Sequence, residues 1–406
     1  MILGFSGNTG NLLHPLLKNI PLCANSMVSA EKVRALSELA SYDMEQEERL
    51  KHIPLGGTNG PLHTYEAKTP RGTCTLFKTL MTNKCRMDCR YCVNAQCSKR
   101  RAAWKYTPEE LASTFMALYK KRLVQGLFLS SSIEDPVPSM ESILESAHLL
   151  RAKMRYRGYM HLKILPGSTR DQVERATRYA DRVSINLETV SPSRLSEIAS
   201  NKDFKNDILK RQAWVRSTQS RFKHSRETGS APTRVSHVSQ LMVGINGESD
   251  MDIFKLAASE YEHMKLNRIY YSAFKPVVDT PLEKSPAAPT WRQNRLYQLD
   301  WLYRIYEYSR EDVQPAFSDE GFLQNTDPKV AIARTIFERP LEINGAEKRD
   351  LLRVPGIGPK TAKSLAKARE KITSMAALGK HGVVLGRALP FIRINGLHQT
   401  TLASFN

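Results

Sequence analysis

Long apolar runs are missing from this chain. No stretch approaches the ~18 uninterrupted apolar residues that cross a bilayer, so no membrane span is expected. The opening residues, MILGFSGNTGNLLHPLLKNIPLCANS, have no charged leader segment, and Pro15, Lys18 and Pro21 break their apolar character, which argues against a secretory signal. Cysteine is scarce: six in 406 residues, four of them bunched. That usage excludes a disulfide-stapled secreted scaffold and points to a reducing, cytoplasmic compartment. Acidic residues are in deficit, 41 Asp+Glu against 60 Lys+Arg, for a net charge of +19. An excess of this size favours a polyanionic partner, nucleic acid before membrane, over a merely solvated basic surface.

What is present is an alternation of short apolar runs with helical patterns. CTLFKTL (74–80), GLFLS (126–130), residues 161–165, 182–187, 239–243 and 268–274 read as strands. Helical periodicity fills 108–122 behind the Thr107 cap signal, and 139–154, 169–180, 204–216 and 250–264. A βα rhythm of this kind implies a parallel sheet with right-handed crossovers, its strands buried on both faces. Chemistry on such sheets gathers at the C-terminal ends of the strands. The expected division is a disordered extension or upstream start over 1–26, a helix and loop over 27–69, the α/β core over 70–280, a helical extension over 281–344 and a small all-α domain over 345–406. Residues 217–236, with Arg221, Lys223, Arg226, Arg234, Gly229 and Pro232, read as a mobile basic loop. Leu296, Leu299, Leu302, Tyr303 and Tyr306 make a helical stripe, read as packing rather than a base-stacking platform.

Directly after the first parallel strand comes MTNKCRMDCRYCVNAQC, in which Cys85, Cys89 and Cys92 are spaced C-x₃-C-x₂-C and Cys97 trails. Closely spaced thiolates hold iron–sulfur clusters. Three of them leave one iron of a four-iron cube open, and an open metal position separates a reactive site from a sealed structural one. Zinc is the competitor; it wants a fourth ligand, no His lies in the loop, and Cys97 follows at an unusual x₄ spacing. Cys23, Cys74 and Cys97 are too scattered for a second cluster.

This loop resembles the signature of the radical S-adenosylmethionine (SAM) superfamily. The resemblance implies a partial (βα)6 TIM-like barrel and a 4Fe-4S cluster on Cys85, Cys89 and Cys92, with the fourth iron chelated by SAM. It also implies a 5′-deoxyadenosyl radical as the hydrogen-abstracting agent. By the same resemblance Tyr91 lies beside the adenine, and Ser130, Ser131 and Ser132 stand where the superfamily has Gly-Gly-Glu, with Glu134 close behind. In SINLE, alternation along a strand puts Asn186 and Glu188 on one face, toward ribose or methionine groups. Gly244 and Gly247, with Glu248, resemble the glycine turn beside the adenine. His63, Tyr65 and Lys163 are candidates for the cavity lining.

The C-terminal stretch LLRVPGIGPKTAKSLAKAR sets two short apolar helices around Gly356 and Gly358. Such a turn exposes bare backbone, and its amides beside a helix N-terminus suit an anion. Lys360 and Lys363 add charge and Thr361 a hydroxyl; residues 345–406 carry 11 Lys+Arg against 3 Asp+Glu. The stretch resembles a helix-hairpin-helix motif, which implies DNA phosphate binding at Gly356, Gly358, Lys360, Thr361 and Lys363, without sequence readout. A packing turn or protein-interaction module is the alternative. Together the two modules resemble a family of radical SAM proteins assigned to DNA modification or repair. That resemblance implies DNA before RNA as partner, a uracil-DNA-glycosylase-like protein for some members, and an electron donor. An RNA-modifying radical enzyme and a non-catalytic iron–sulfur sensor are the other two readings.

Overall fold

The computed structural model describes residues 28–43, 49–54, 61–69, 72–99, 102–227, 235–368 and 371–398. The segment expected as an extension, 1–26, lies outside them. The main sheet contains β1 (Arg49–Pro54), β2 (Pro61–Thr69), β3 (Gly72–Leu80), β4 (Gly126–Ser130), β5 (Tyr159–Lys163), β6 (Arg182–Ser184), β7 (Ser236–Val243) and β8 (Arg268–Ala273), in sequence order across the sheet. β1, β2 and β3 pair antiparallel, and β3 through β7 pair in parallel, each with the next. The helices of this region are α1 (Ala30–Leu39), α2 (Pro108–Lys120), α3 (Pro136–His148), α4 (Arg170–Tyr179), α5 (Pro192–Ile198), α6 (Lys210–Glu227) and α7 (Asp250–Ser259). Local chemistry starts several of them: Thr107 with Glu110, Thr169 with Gln172 and Ser249 with Asp252 form reciprocal caps that satisfy first-turn amides.

Register explains how this sheet buries charge. Lys78, Phe128, His161 and Arg182 pair across four neighbouring strands and so share one face. The Lys78 ammonium, fully buried, sits 4.4 Å from the Phe128 ring centre and 5.1 Å from that of Tyr65. Phe128 meets the His161 ring edge-on at 4.3 Å, and His161 Nε2 lies 2.9 Å from Ser184 Oγ. Burial first, then Arg182, Lys78 and Lys163, hold this imidazole well below its ordinary pKa, hence neutral.

Four expectations need correction. Residues 49–54 and 61–69, read as loop, are the antiparallel strands β1 and β2. The strand expected over 182–187 stops at Ser184, and Glu188 has a positive φ of 67°, so strand alternation does not govern Asn186 and Glu188. The basic loop expected over 217–236 is helical through Glu227, and Arg221 is bonded to Glu174 and Thr218; 228–234 lie outside the described residues. The C-terminal region is not all-α, because β9 (Leu341–Glu342) and β10 (Ile392–Arg393) pair in parallel.

The chain divides into two compact units: Met1–Gln240 with Met264–Tyr270 and Pro276–Ser285, and Leu241–His263 with Tyr271–Lys275 and Pro286–Asn406. The second contains α7 and then α8 (Thr290–Ile305), α9 (Pro328–Ile336), α10 (Lys348–Arg353), α11 (Pro359–Ala366), α12 (Met375–Lys380) and α13 (Leu385–Ala388). Leu296, Leu299 and Leu302 on α8 are buried, as a packing stripe requires. One apolar core joins Ala333, Ile343, Leu351, Ile357, Leu378 and Ile392, so the boundary expected at 345 falls inside a shared core. No described helix is long and apolar enough to cross a membrane.

Glu260 in this unit is buried, and its Oε2 has no hydrogen-bond partner among the described residues; burial pushes its carboxyl up to about 7. An acid whose folded pKa is raised stabilises the fold below its unfolded value and loses that contribution as pH rises through the folded one. Glu260→Met is therefore expected to gain about 1–3 kcal/mol over the parent at pH 8, the cost of a buried polar group without a partner. The gap should narrow at pH 5, as chemical denaturation at the two pH values would read.

Candidate functional site

The cysteine loop begins where β3 ends and is pinned on three sides. Met81 N–H donates to Ser130 O at 2.8 Å, Ser132 N–H to Thr82 O at 3.0 Å and Arg86 N–H to Ile133 O at 2.8 Å, so the end of β4 carries the loop's base. Asn83 clasps the returning segment: its Nδ2 donates to Ala102 O at 2.8 Å and its Oδ1 accepts from Trp104 N–H at 2.7 Å. Asp88, inside the motif, accepts from the amides of Ser200 and Asn201, both at 3.0 Å, and from the Ser200 hydroxyl. Arg90 N–H donates to Ile198 O at 2.8 Å, and Arg90 O accepts from Leu282 N–H. Within the loop, Cys92 N–H reaches Cys89 O at 3.0 Å and Ala95 N–H reaches Cys92 O at 3.2 Å, successive tight turns that bring the thiols together.

Cys89 is buried, Cys85 and Cys92 are half-buried and Cys97 is exposed. Cys85, Cys89 and Cys92 lie within electrostatic reach of one another in every pairing. Burial, then Cys89 as neighbour, pushes the Cys92 thiol up to about 12; burial likewise raises Cys89. Without a metal these are neutral thiols, and a metal must displace their protons. The Cys85 sulfur accepts the Met87 amide at 3.4 Å, whereas the Cys97 thiol turns to the Asp88 carbonyl at 3.4 Å. Among the described residues, no three His, Cys, Asp or Glu side chains are arranged to hold a single metal ion. A four-iron cube asks for something different, one thiolate at each of three corners. The donor set, three clustered thiols, fits it.

Beside the thiols lies a charged group the sequence did not announce. Lys202 Nζ is 2.8 Å from Glu188 Oε1 and donates to the Tyr91 hydroxyl at 3.2 Å. Both members of the ion pair are nearly enclosed, with side-chain exposures of 8% and 12%. Burial alone would raise Glu188, but Lys202 and then Lys163 outweigh it, and its carboxyl falls below the ordinary value. Burial opposes the Lys202 charge; Cys89 and Glu188 more than restore it, and its ammonium titrates well above the usual range. Tyr91 is pushed well up by burial, then by Cys89 and Glu188. The site thus presents a fixed ammonium and a fixed carboxylate next to the thiols. No spacing rule links Lys202 to Tyr91, 111 positions away.

The other expected residues fall as follows. Ser130, Ser131 and Ser132 are buried, and the Ser131 hydroxyl donates to Ser132 O at 2.7 Å. A cavity of about 270 Å³ opens at Ser131, lined also by Thr82, Arg86, Tyr106, Glu134 and Ser139. Glu134 is bonded to Lys105 at 3.1 Å. Asn186 Nδ2 reaches toward Gln240 Oε1 at 3.5 Å, and the Leu187 and Glu188 amides both donate to Gln240 O. Lys163 lies within reach of Glu188 and His161. Tyr65 is fully buried and donates to Ser37 O at 3.4 Å, a packing role rather than a cavity lining. In the second unit, Gly244 (φ 80°) and Gly247 (φ 76°) form a turn closed by Glu248, whose carboxylate accepts the Gly244 and Asn246 amides.

The C-terminal turn joins α10 to α11. Gly356 has φ 82°, and a Cβ there would lie 2.5 Å from Val384 O and 3.1 Å from Arg387 Cβ. At Gly358 the nearest atom to such a Cβ, Tyr306 Oη, is 3.5 Å away, an ordinary contact. Lys360 and Lys363 are exposed, but Thr361 is buried and its hydroxyl donates to Gly382 O at 3.1 Å, so it braces the neighbouring turn. Gly356→Ala should cost well over about 1 kcal/mol, from backbone strain and the clash together. Gly358→Ala should stay within about 0.5 kcal/mol. Denaturant midpoints of the two variants check this.

Residues 79–258 match the family model described as the Radical SAM superfamily. Solved structures similar to this chain include the FeFe-hydrogenase maturase HydG from Carboxydothermus hydrogenoformans, 13% identical with a TM-score of 0.40, covering 54% of this chain and 49% of that one. Methylornithine synthase (PylB) is 12% identical with a TM-score of 0.43, covering 56% and 61%. Coproporphyrinogen III oxidase (HemN) from Escherichia coli is 13% identical with a TM-score of 0.34, covering 64% and 57%. The chain spans about half to three fifths of the length of these structures. No curated protein's sequence matches this chain.

Proposed function

From the radical SAM domain that residues 79–258 form, we propose that the chain is a radical enzyme acting on DNA, with a 4Fe-4S cluster and S-adenosylmethionine as its cofactors. Members of this superfamily are SAM-dependent enzymes that use those two cofactors. Cys85, Cys89 and Cys92 would hold three irons and leave the fourth for the amino and carboxylate groups of SAM. When bound, the cofactors supply a 5′-deoxyadenosyl radical that abstracts a hydrogen atom from the substrate. The chain's own residues would bind and orient: the Lys202 ammonium would meet the SAM carboxylate, and Glu188 with Asn186 the ribose and amino groups. Tyr91 and the backbone at Ser130–Ser132 would flank the rest of the cofactor.

The single observation that carries this reading is the cluster of three thiols at the C-terminal end of the first parallel strand, with the Lys202–Glu188 pair beside it. The DNA part is supported by the hairpin of α10 and α11 and by the 11 Lys+Arg against 3 Asp+Glu in residues 345–406. Amides of the Gly356–Gly358 turn, the first turn of α11, Lys360 and Lys363 would meet backbone phosphates. A uracil-DNA-glycosylase-like protein and a low-potential electron donor are the proposed partners. Salt titrations of the chain against duplex DNA, single-stranded DNA and tRNA test the substrate class. Duplex binding that weakens steeply with salt is expected; tighter tRNA binding would move the substrate to RNA. Mass spectrometry of nucleosides from DNA incubated with the reconstituted enzyme, SAM and reductant then identifies the product.

A further inference from the structure

Behind the C-terminal turn lies a buried lysine that has no carboxylate partner among the described residues. Lys329, at the second position of α9, is 6% exposed, and its Nζ donates to Ile357 O at 2.7 Å. The same ammonium stands 4.5 Å from the centre of the Tyr306 ring. The carboxylate that acts on it, Asp327, is taken by Arg387 and by the Lys329 backbone amide, the latter at 2.9 Å. Burying a cation against one carbonyl and one ring is costly. Burial first, then the Arg387 charge, depress the ammonium to about 7 against the pull of Asp327. Tyr306 from the end of α8, Arg387 from α13 and Asp327 at the start of α9 are the charged and titratable groups that act on it.

The carbonyl it holds has a particular place. Ile357 C=O and Gly358 N–H are two ends of one trans peptide and point in opposite directions. Gripping the oxygen from inside therefore turns the Gly358 N–H away from the core, where Gly358 is half-exposed. A cation on the oxygen also polarises the peptide and strengthens its N–H as a donor. The preceding peptide is fixed separately, by Val384 N–H to Gly356 O at 3.0 Å and Ile357 N–H to Val354 O at 3.2 Å. Of the turn's donors, the Gly358 amide is the one whose aim depends on Lys329.

We infer that Lys329 is a positioning residue for the anion-binding turn: its ammonium orients and charges the Ile357–Gly358 peptide to receive a phosphate diester oxygen. The inference deepens the DNA reading and rests on it for the identity of the anion. A phosphate beside the turn favours the protonated lysine, so binding takes up a proton and tightens as pH falls through the neutral range.

The test uses the full chain with ¹⁵N-glycine, a fluorescein-labelled duplex oligonucleotide, and inorganic phosphate as a second probe. Three results are expected. The Gly358 amide resonance titrates between pH 6 and 8 in the free protein and shifts on adding phosphate. Duplex affinity falls about tenfold in Lys329→Met, the size of one charge-assisted hydrogen bond. The extra tightening of the parent at pH 6 relative to pH 8 disappears in the variant, while Lys329→Arg keeps the affinity and loses the pH dependence. A Gly358 amide that neither titrates nor responds to phosphate overturns the inference without any variant, as does Lys329→Met with parental affinity and pH slope. If the parent binds no duplex at any salt, the DNA reading fails. The Gly358 response to phosphate, lost or kept in Lys329→Met, then decides the role of Lys329 separately.

Discussion

Replacing Cys85, Cys89 or Cys92 with alanine is expected to abolish iron–sulfur binding and all SAM cleavage, one substitution sufficing in each case. A cube anchored by these three thiolates is not expected to recruit Cys97, whose thiol donates to the Asp88 carbonyl although it lies within electrostatic reach of Cys85. Cys97→Ser should therefore keep the cluster, which separates this arrangement from a four-cysteine zinc site, where all four would matter equally. The metal-free variants should fold much as the parent does. The loop is held by Asp88 to Ser200 and Asn201, by Arg86 to Ile133 and by Asn83 to Ala102, none of which needs a thiol. Iron and sulfide content, the visible absorption of the reconstituted protein and its circular dichroism check the three statements together.

The second large effect is expected at Lys202. Lys202→Met removes one partner of an enclosed ion pair and leaves Glu188 without its nearest cation. Breaking a buried pair from one side costs about 3–5 kcal/mol, a large share of the stability of an ordinary domain. Replacing both members at once, Glu188→Gln with Lys202→Met, should recover most of that loss, since the uncompensated charge is then gone. Stability is read by denaturation of the metal-free protein, so cofactor loading does not enter. In the loaded enzyme both variants should lose SAM binding, because Lys202, whose charge would meet the cofactor's carboxylate, is absent in each. A double variant with restored stability and parental SAM affinity would show the pair to be structural only.

Local features carried most of what was legible in the sequence. The three cysteines lie within eight residues, and ligand spacing needs no knowledge of the rest of the chain. Buried parallel strands such as GLFLS, whose five residues are all buried, announce themselves as apolar runs between caps. Thr107 with Glu110 marks the start of α2 because a cap is a contact between near neighbours.

Long-range or exceptional features did not show. β1 and β2 were hidden by polar sequences such as LHTYEA, which become strands through pairing with each other and with β3. SINLE reads as a longer strand, but the chain leaves the ladder after Ser184 and sends two successive amides to Gln240 O. Lys202 and Lys329 look like surface residues in sequence. Only the fold reveals that one is enclosed with Glu188 and the other with a turn carbonyl. Gly356, read as a phosphate-binding glycine, is also demanded by its approach to Val384.

The account rests on a cube carried by three thiols. Its most direct measurement is anaerobic reconstitution with iron and sulfide, followed by reduction in the presence of SAM and chromatography for 5′-deoxyadenosine. The predicted result is an oxygen-sensitive brown protein with one four-iron cluster per chain that releases 5′-deoxyadenosine, and neither property in Cys89→Ala. A folded parent protein that takes up no iron, or takes it up and leaves SAM intact under reduction, would contradict it.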